Sequence, residues 1–242
     1  MTVTTWDEPA GATARGTLIV LPGRGETGAS YQRFGTRLAA DAYRVRLVPV
    51  DLDDLAAARE QVEKLLADES LPAPKVLVGT DSGATLAATI VGEVDADAAV
   101  LAGLALPGAA PAPGATWDDE LDARSACPVH RSVIEGDAGF ERAALGRPLP
   151  WSSLEVTAPA KPVLVVHGAA DAVSPAAEAV APYVGAPGAR TWLVQGGRHD
   201  VLNDVSHRSV AATIVLFLES LKLGPELPAV LVPASGAVDG PA

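Results

Sequence analysis

Residues Val76–Ala84 read Val-Leu-Val-Gly-Thr-Asp-Ser-Gly-Ala, and this stretch decides the fold. An apolar run ends at Gly79, and a helix-forming run starts at Ala84. A short apolar run bounded by a glycine is typical of a buried strand, so the stretch predicts a strand, a sharp turn and a helix. A turn of this kind presents one side chain at its tip in an exposed and strained conformation.

The residue predicted at the tip of this turn is Asp81. The residues two before and two after the tip crowd one another, so only small side chains fit there. With Asp81 at the tip, those positions are Gly79 and Gly83. With Ser82 at the tip they would be a threonine and an alanine, which fit less well. Asp81 is therefore the better candidate for the functional side chain of the turn.

Outward from this turn, apolar runs alternate with helical patterns along the chain. The runs predicted as strands are Leu18–Leu21, Val45–Val50, Lys75–Gly79, Ala98–Leu104, Pro162–His167 and Arg190–Val194. The predicted helices are Ala29–Ala42, Leu52–Asp68, Ala84–Glu93, Pro175–Tyr183 and Val205–Leu221. Such alternation predicts an α/β fold with a mostly parallel central sheet flanked by helices on both faces.

One long interruption of the alternation divides this core. Residues 106–158 contain no strand pattern, and loops of this length inside a compact domain are usually functional. We predict that they form a small cap insertion between core segments 1–105 and 159–223. Trp117 and Trp151 lie in the insertion, which favours a packed segment over a loose surface loop. Residues 224–242, rich in Pro, Gly and Ala, are predicted to be a flexible tail.

Composition narrows the classes of partner. The formal net charge is −12 and the pI is near 4.7, which argues against nucleic acid or an anionic membrane as partner. The single cysteine, Cys127, suits a reducing cytoplasm, and no signal-peptide pattern opens the chain. We therefore expect a cytoplasmic protein acting on a small molecule, with no membrane partner. The sequence leaves the oligomeric state open.

Three further loops follow predicted strands and carry chemically suitable groups. The glycine-rich loop Leu21–Gly28 can bring the backbone N–H of Arg24 near the turn, where with the N–H of Ser82 it would form an oxyanion hole. A loop after the strand Pro162–His167 ends in Asp171, which would orient a histidine. His199 follows the last strand, on a loop whose glycines permit a sharp bend toward the sheet edge.

At this point the chain resembles the α/β-hydrolase superfamily over about residues 16–221. The loop 22–31 looks like the H-G-x-G-E-H-x-x-R-Y stretch of monoacylglycerol-lipase-like serine hydrolases, and residues 199–203 resemble their H-E-x-L-N segment. The resemblance implies a catalytic triad of Asp81 as nucleophile, Asp171 as acid and His199 as base, in the chain order of that fold. Two departures from the pattern matter for the chemistry: Pro22 replaces a histidine, and Asp81 replaces the nucleophilic serine.

With an aspartate at the nucleophile position, the chain resembles the haloalkane dehalogenase and epoxide hydrolase branches of the superfamily. Enzymes of those branches form a covalent ester that water then hydrolyses. Those branches pair the aspartate with a following Trp or with lid tyrosines, whereas here Ser82 follows and residues 106–158 contain no Tyr. The sequence therefore leaves two alternatives open. One is a serine-type carboxylesterase, lipase or thioesterase using Ser82. The other is a lyase, a cyclase or a ligand-binding protein with Asp81 as proton acceptor.

The remaining expectations concern ligands. An Ala-, Val- and Leu-rich core and a cap with two tryptophans predict a small, partly apolar organic substrate, contacted by Trp117, Trp151 and Arg198. We expect no cofactor. No metal site is expected either, because the histidines are scattered and one cysteine is too few.

Overall fold

A computed structural model describes residues 2–108, 116–153 and 161–232 of the chain. The strands are β1 (Thr4–Trp6), β2 (Gly16–Leu21), β3 (Tyr43–Leu47), β4 (Lys75–Thr80), β5 (Ala98–Leu104), β6 (Val163–Gly168) and β7 (Ala189–Val194). The α-helices are α1 (Gly28–Ala40), α2 (Leu55–Ala67), α3 (Asp81–Ile90), α4 (Trp117–Arg124), α5 (Pro128–Gly136), α6 (Ala176–Val180) and α7 (His207–Leu223).

These strands form one seven-stranded sheet in the order β1-β3-β2-β4-β5-β6-β7. All neighbouring pairs are parallel except β1 with β3, which is antiparallel. The predicted mostly parallel sheet is therefore confirmed. The edge strand β1 was not predicted, because three residues are too few to form a recognisable pattern; the strand is held by pairing with β3.

Apolar residues of the central strands fill both faces of the sheet. On β2, Leu18 and Val20 pack in one core cluster, which contains residues of α1 and α7. Ile19 and Leu21 pack in a second cluster on the opposite face, which contains residues of α2, α3 and α6. Alternate side chains of a strand point to opposite faces, so a sheet covered on both sides needs continuous apolar strands.

Element boundaries differ from the sequence prediction in two informative places. The helix predicted from Ala84 begins at Asp81, so the aspartate is the first residue of α3. The predicted strand Val45–Val50 ends at Leu47.

The insertion and the tail are described only in part. Within residues 106–158, which we call the 106–158 segment, the structure describes α4, α5 and a short 3₁₀ turn at Ala144–Gly146. Of the tail predicted as flexible, residues 224–232 are described. Leu227 there is buried in the α1/α7 cluster, and its carbonyl accepts a hydrogen bond from Arg190. This burial anchors the start of the predicted tail, while residues 233–242 lie outside the described part of the chain.

Candidate active site

Asp81 lies at the tip of a very tight turn between β4 and α3. Its backbone φ is +47°, in the left-handed region that non-glycine residues adopt only at a cost of order 1–3 kcal/mol. A Cβ on Gly79 would lie 2.3 Å from the carbonyl oxygen of Gly83, and a Cβ on Gly83 would lie 2.1 Å from that of Leu21. Both positions therefore admit only glycine, as the pattern of small residues predicts.

The side chains of Asp81, His199 and Asp171 are joined by a continuous, buried chain of hydrogen bonds. Nε2 of His199 lies 3.0 Å from Oδ1 of Asp81, and Nδ1 lies 2.7 Å from Oδ2 of Asp171. The other oxygen of Asp171 accepts hydrogen bonds from the backbone N–H groups of Val173 and Ser174. The loops after β4, β6 and β7 thus bring together residues that are far apart in the chain.

The guanidinium of Arg24 also binds Asp81, and sequence reasoning missed this contact. Nη2 donates to Oδ1 at 2.6 Å and Nε donates to Oδ2 at 2.8 Å, while Nη1 donates to the carbonyls of Leu145 and Arg147. No sequence pattern distinguishes this arginine from an exposed one, because its contact with Asp81 spans 57 positions.

The backbone N–H of Arg24 points at the same carboxylate. It donates to Oδ2 of Asp81 at 2.8 Å. Each carboxylate oxygen therefore accepts two hydrogen bonds, from His199 and Arg24 at Oδ1 and from Arg24 alone at Oδ2. Two acceptor sites per oxygen are the capacity of a carboxylate, so Asp81 is saturated in this state.

Ser82, the alternative nucleophile, is also buried at the turn. Within the described residues its hydroxyl forms no hydrogen bond with His199, whose Nε2 is engaged by Asp81. Ser82 instead lies in the wall of a cavity of about 380 Å³ that also includes Arg24 and Asp53.

The charged groups that are hydrogen-bonded to one another in this buried site determine one another's pKa values. Burial alone would raise the pKa of Asp81, but the Arg24 guanidinium and His199 outweigh it and hold that pKa well below its ordinary value. Burial alone would lower the pKa of His199, but the carboxylates of Asp171 and Asp81 raise it to about 10. The pKa of Asp171 is lowered because His199 and His167 outweigh its burial. At neutral pH the imidazole is therefore protonated between two carboxylates.

Other buried polar residues contact these hydrogen-bonded side chains or the loop of Arg24, and these contacts were not predicted from the sequence. Nε2 of His167 lies 3.0 Å from Oδ2 of Asp171, which is only four residues further along the chain. Arg124 on α4 donates to the backbone carbonyl of Arg24 at 2.9 Å and to Glu120 at 2.7 Å. These bonds link the 106–158 segment to the loop that carries Arg24.

A cavity of about 340 Å³ lies next to Arg24. The side chains in its wall that matter for a ligand are those of Arg24, Leu145, Arg147, Trp151 and Val173. Neither Asp81 nor His199 is in the described wall, so the arginine stands between the cavity and the buried chain.

Of the three residues predicted to contact a substrate, the structure brings only Trp151 to this cavity. Trp117 packs edge-on against Phe140 at 5.6 Å, within the 106–158 segment. Arg198 pairs with the carboxylate of Asp122 at 2.9 Å. Apolar packing and ion pairing thus hold these two side chains elsewhere.

Two kinds of feature are absent from the part of the chain that the structure describes. Residues 2–108, 116–153 and 161–232 contain no group of three or more His, Cys, Asp and Glu placed to hold a metal ion. In the same ranges no helix has the length and apolar character needed to cross a membrane.

Comparison with solved structures identifies the fold. The chain is similar to a monoacylglycerol lipase of Paleococcus ferrophilus, with 15% identity, 91% of this chain and 99% of that chain covered, and a TM-score of 0.69. It is similar to a soluble variant of monoglyceride lipase from Saccharomyces cerevisiae (14% identity, 90% of each chain, TM-score 0.68). It is also similar to an esterase from Rhodococcus sp. (16% identity, 90% and 95%, TM-score 0.66). No protein-family model and no curated protein sequence matches the chain. The chain has the α/β-hydrolase fold.

Proposed function

We propose that the protein is a hydrolase of a small, partly apolar organic substrate, with Asp81 as nucleophile and His199, held by Asp171, as the group that transfers protons. The observation that carries the proposal is the 3.0 Å contact between Nε2 of His199 and Oδ1 of Asp81. Because the pKa of Asp81 is depressed, its carboxylate is ionised at neutral pH and needs no base to become nucleophilic.

Attack by Asp81 requires release of one of its hydrogen bonds. Arg24 is the partner best placed to leave, because it lies both on Asp81 and in the wall of the 340 Å³ cavity. Movement of its guanidinium off Oδ1 frees a lone pair and opens a path from the cavity to the carboxylate. A polar group of the substrate, bound near Trp151, would take over the released N–H donors.

The first half-reaction forms an ester. A free oxygen of Asp81 attacks a saturated carbon of an epoxide, the carbon–oxygen bond of the ring breaks, and the departing oxygen takes the proton from Nε2 of His199. The protonated imidazole, with its pKa near 10, replaces the tyrosines that residues 106–158 lack. For an alkyl halide, the halide leaves without a proton, and His199 then releases its own proton to solvent. Loss of the Asp81 charge lowers the pKa of His199 and prepares it to act as a base.

The second half-reaction hydrolyses the ester. His199 takes a proton from water, and the hydroxide attacks the carbonyl carbon of the Asp81 ester. The backbone N–H of Arg24, which already points at Oδ2, stabilises the oxyanion together with that of Ser82. Collapse breaks the acyl–oxygen bond, the alkoxide takes the proton from His199, and the new carboxylic acid of Asp81 returns its proton to the imidazole. One oxygen of water remains in the carboxylate.

Heavy-oxygen water tests this mechanism. In a single turnover of a substrate identified from a panel of small epoxides and alkyl bromides, peptides containing Asp81 should gain one heavy oxygen atom by mass spectrometry. Ser82→Ala should leave this label in place, and His199→Gln should accumulate the alkylated Asp81 when a bromide is the substrate. Turnover without label in Asp81 refutes the proposal. Labelling of Ser82 by a fluorophosphonate would instead support the serine-type acyl hydrolase.

The saturation of Asp81 by Arg24 and His199 favours a second candidate function: a non-hydrolytic catalyst, such as a lyase or cyclase, or a ligand-binding protein. In that case the ion pair is permanent, and the 340 Å³ cavity binds a ligand beside Arg24. This role predicts product formation without incorporation of water, or ligand binding with no turnover at all.

A further inference from the structure

A second cavity, which we call the α1/α5/α7 cavity, lies away from the proposed active site. It has a volume of about 550 Å³ and lies between α1, α5 and the first turn of α7. Its wall includes Ser30, Arg33, Arg37, Val133, His207 and Arg208. The wall of this cavity includes none of Asp81, Arg24 and His199, so the chemistry proposed above does not account for the cavity.

The charge of this cavity opposes that of the whole chain. The net charge is −12, yet the described wall contains three arginines and two histidines and no Asp or Glu. Arg37 pairs with Asp41 at 3.3 Å and Arg33 donates to a backbone carbonyl, whereas Arg208 has no ion pair within the described residues. The pKa of His207 is lowered, by partial burial and by the positive charges of Arg33 and Arg208. His130 is paired with Asp200 at 2.7 Å, so within the described wall Arg33 and Arg208 are the charges without a paired carboxylate. Positive charge of this kind attracts an anion.

An unpartnered hydroxyl lies in the same wall. Ser30 is only 2% exposed, and its Oγ has no hydrogen-bond partner in the described structure. A buried polar group without a partner costs about 1–3 kcal/mol. In the proposed complex the Ser30 hydroxyl rotates toward the cavity and donates to a ligand oxygen, which removes this cost. The first two residues of the 17-residue helix α7, His207 and Arg208, lie in the wall, and Ser206 forms no side-chain cap, so the positive end of the helix dipole adds to the attraction.

Besides Gln32 and Thr36, the remaining wall contains an exposed apolar part. Val129 and Val133 on α5 are 63% and 39% exposed, and Ala29 and Ala40 of α1 lie in the same wall. A ligand that satisfies both parts of the cavity needs an anionic head and an apolar tail. We propose that the α1/α5/α7 cavity is a second binding site, for a small organic carboxylate with an apolar chain.

Titration calorimetry with octanoate tests the proposal on the full-length protein. Octanoate should bind, and octanol and octyltrimethylammonium should bind at least about tenfold more weakly, because they lack the charge that pairs with arginine. Arg208→Gln and Ser30→Ala should each weaken octanoate binding several-fold. Arg59→Gln, which removes the same charge from the exposed face of α2, is the matched control and should leave binding unchanged.

A second measurement locates the ligand independently of affinity. In proton NMR, with the resonance assigned by His207→Gln, octanoate should raise the pKa of His207 because the carboxylate offsets the neighbouring arginines. Absence of this shift, equal binding of octanol, or insensitivity to both Arg208→Gln and Ser30→Ala overturns the proposal. Pelleting of the protein with phosphatidylglycerol vesicles would identify a membrane surface instead and would also overturn it.

Discussion

At the scale of single residues, Asp81 and Arg24 form a buried ion pair at the centre of the candidate active site. The side chain of Asp81 is 3% exposed and that of Arg24 is 7% exposed, and two direct hydrogen bonds join them. A buried ion pair adds little net stability, but removal of one partner leaves a buried charge uncompensated. The pair therefore couples the stability of the fold to the resting state of the proposed nucleophile.

A double-mutant cycle on Asp81 and Arg24 tests this coupling. Asp81→Asn should lower the free energy of unfolding by about 3–5 kcal/mol, because Arg24 stays buried without its counter-charge. The double variant with Arg24→Gln should lose less than the sum of the two single changes, by at least about 1 kcal/mol. Urea denaturation measures all four proteins. Additive losses would contradict the buried pair.

At the scale of elements, the turn from β4 into α3 is the feature on which the position of Asp81 depends. The carbonyl oxygens of Leu21 and Pro22 lie so close to Gly83 that a methyl group there would approach them to 2.1 and 2.6 Å. Both contacts are with backbone, which cannot move aside as a flexible side chain would. The first turn of α3 therefore depends on the absence of a side chain at this position.

Gly83→Ala should lower the free energy of unfolding by at least about 1–3 kcal/mol, because the added methyl group overpacks a rigid site. It should also abolish turnover, because Asp81 is two residues away. Gly136→Ala at the end of α5 is the matched control: its Cβ would meet no atom within 4 Å, so its stability should change little. Thermal unfolding of both variants measures the difference. Equal stability of the two would argue against the tight turn.

The two tryptophans of the 106–158 segment should behave differently. Trp117 packs in an internal cluster with Phe140 and lies beneath Arg142, so Trp117→Ala should mainly lower the melting temperature. Trp151 lies in the wall of the 340 Å³ cavity, so Trp151→Ala should mainly raise KM for a substrate. Steady-state kinetics and thermal unfolding of both variants separate the effects. The reverse pattern would place the substrate elsewhere.

At the scale of the whole molecule, the parallel sheet gathers the charges. Loops after β2, β4, β6 and β7 leave the same edge of the sheet and contribute Arg24, Asp81, Asp171 and His199 respectively. With His199 protonated, the two positive and two negative charges compensate one another in a buried site. This balance makes the stability of the protein depend on pH.

The pKa of His199 in the folded protein, about 10, exceeds its ordinary value of 6.5. Because protonated His199 is favoured in the folded protein, it stabilises the fold fully below pH 6.5. This stabilisation is lost as pH rises through about 10. Asp81 and Asp171 have lowered pKa values, so their contribution is lost as pH falls below 3.8. Urea unfolding should therefore show a decline of a few kcal/mol between pH 6.5 and 10. A flat profile would contradict the charged imidazole.

His199→Gln isolates this contribution. The variant should show a shallower decline above pH 6.5 than the wild type. A residual decline is expected from His130, whose pKa is raised because Asp200 outweighs its burial. An unchanged slope in the variant would assign the pH dependence to other groups.

The sequence by itself determined the alternation of strands and helices, the turn at Asp81 and the chain positions of Asp171 and His199. These are local patterns: apolar runs, small residues around one tip, and glycines before a loop histidine, each contained within about ten residues. Only the tertiary structure decided that Arg24 binds Asp81, that Trp151 rather than Trp117 reaches the cavity, and that Ser30 is left unpartnered. These contacts join residues remote in the chain, and they depend on how loops and helices pack, which no local pattern specifies.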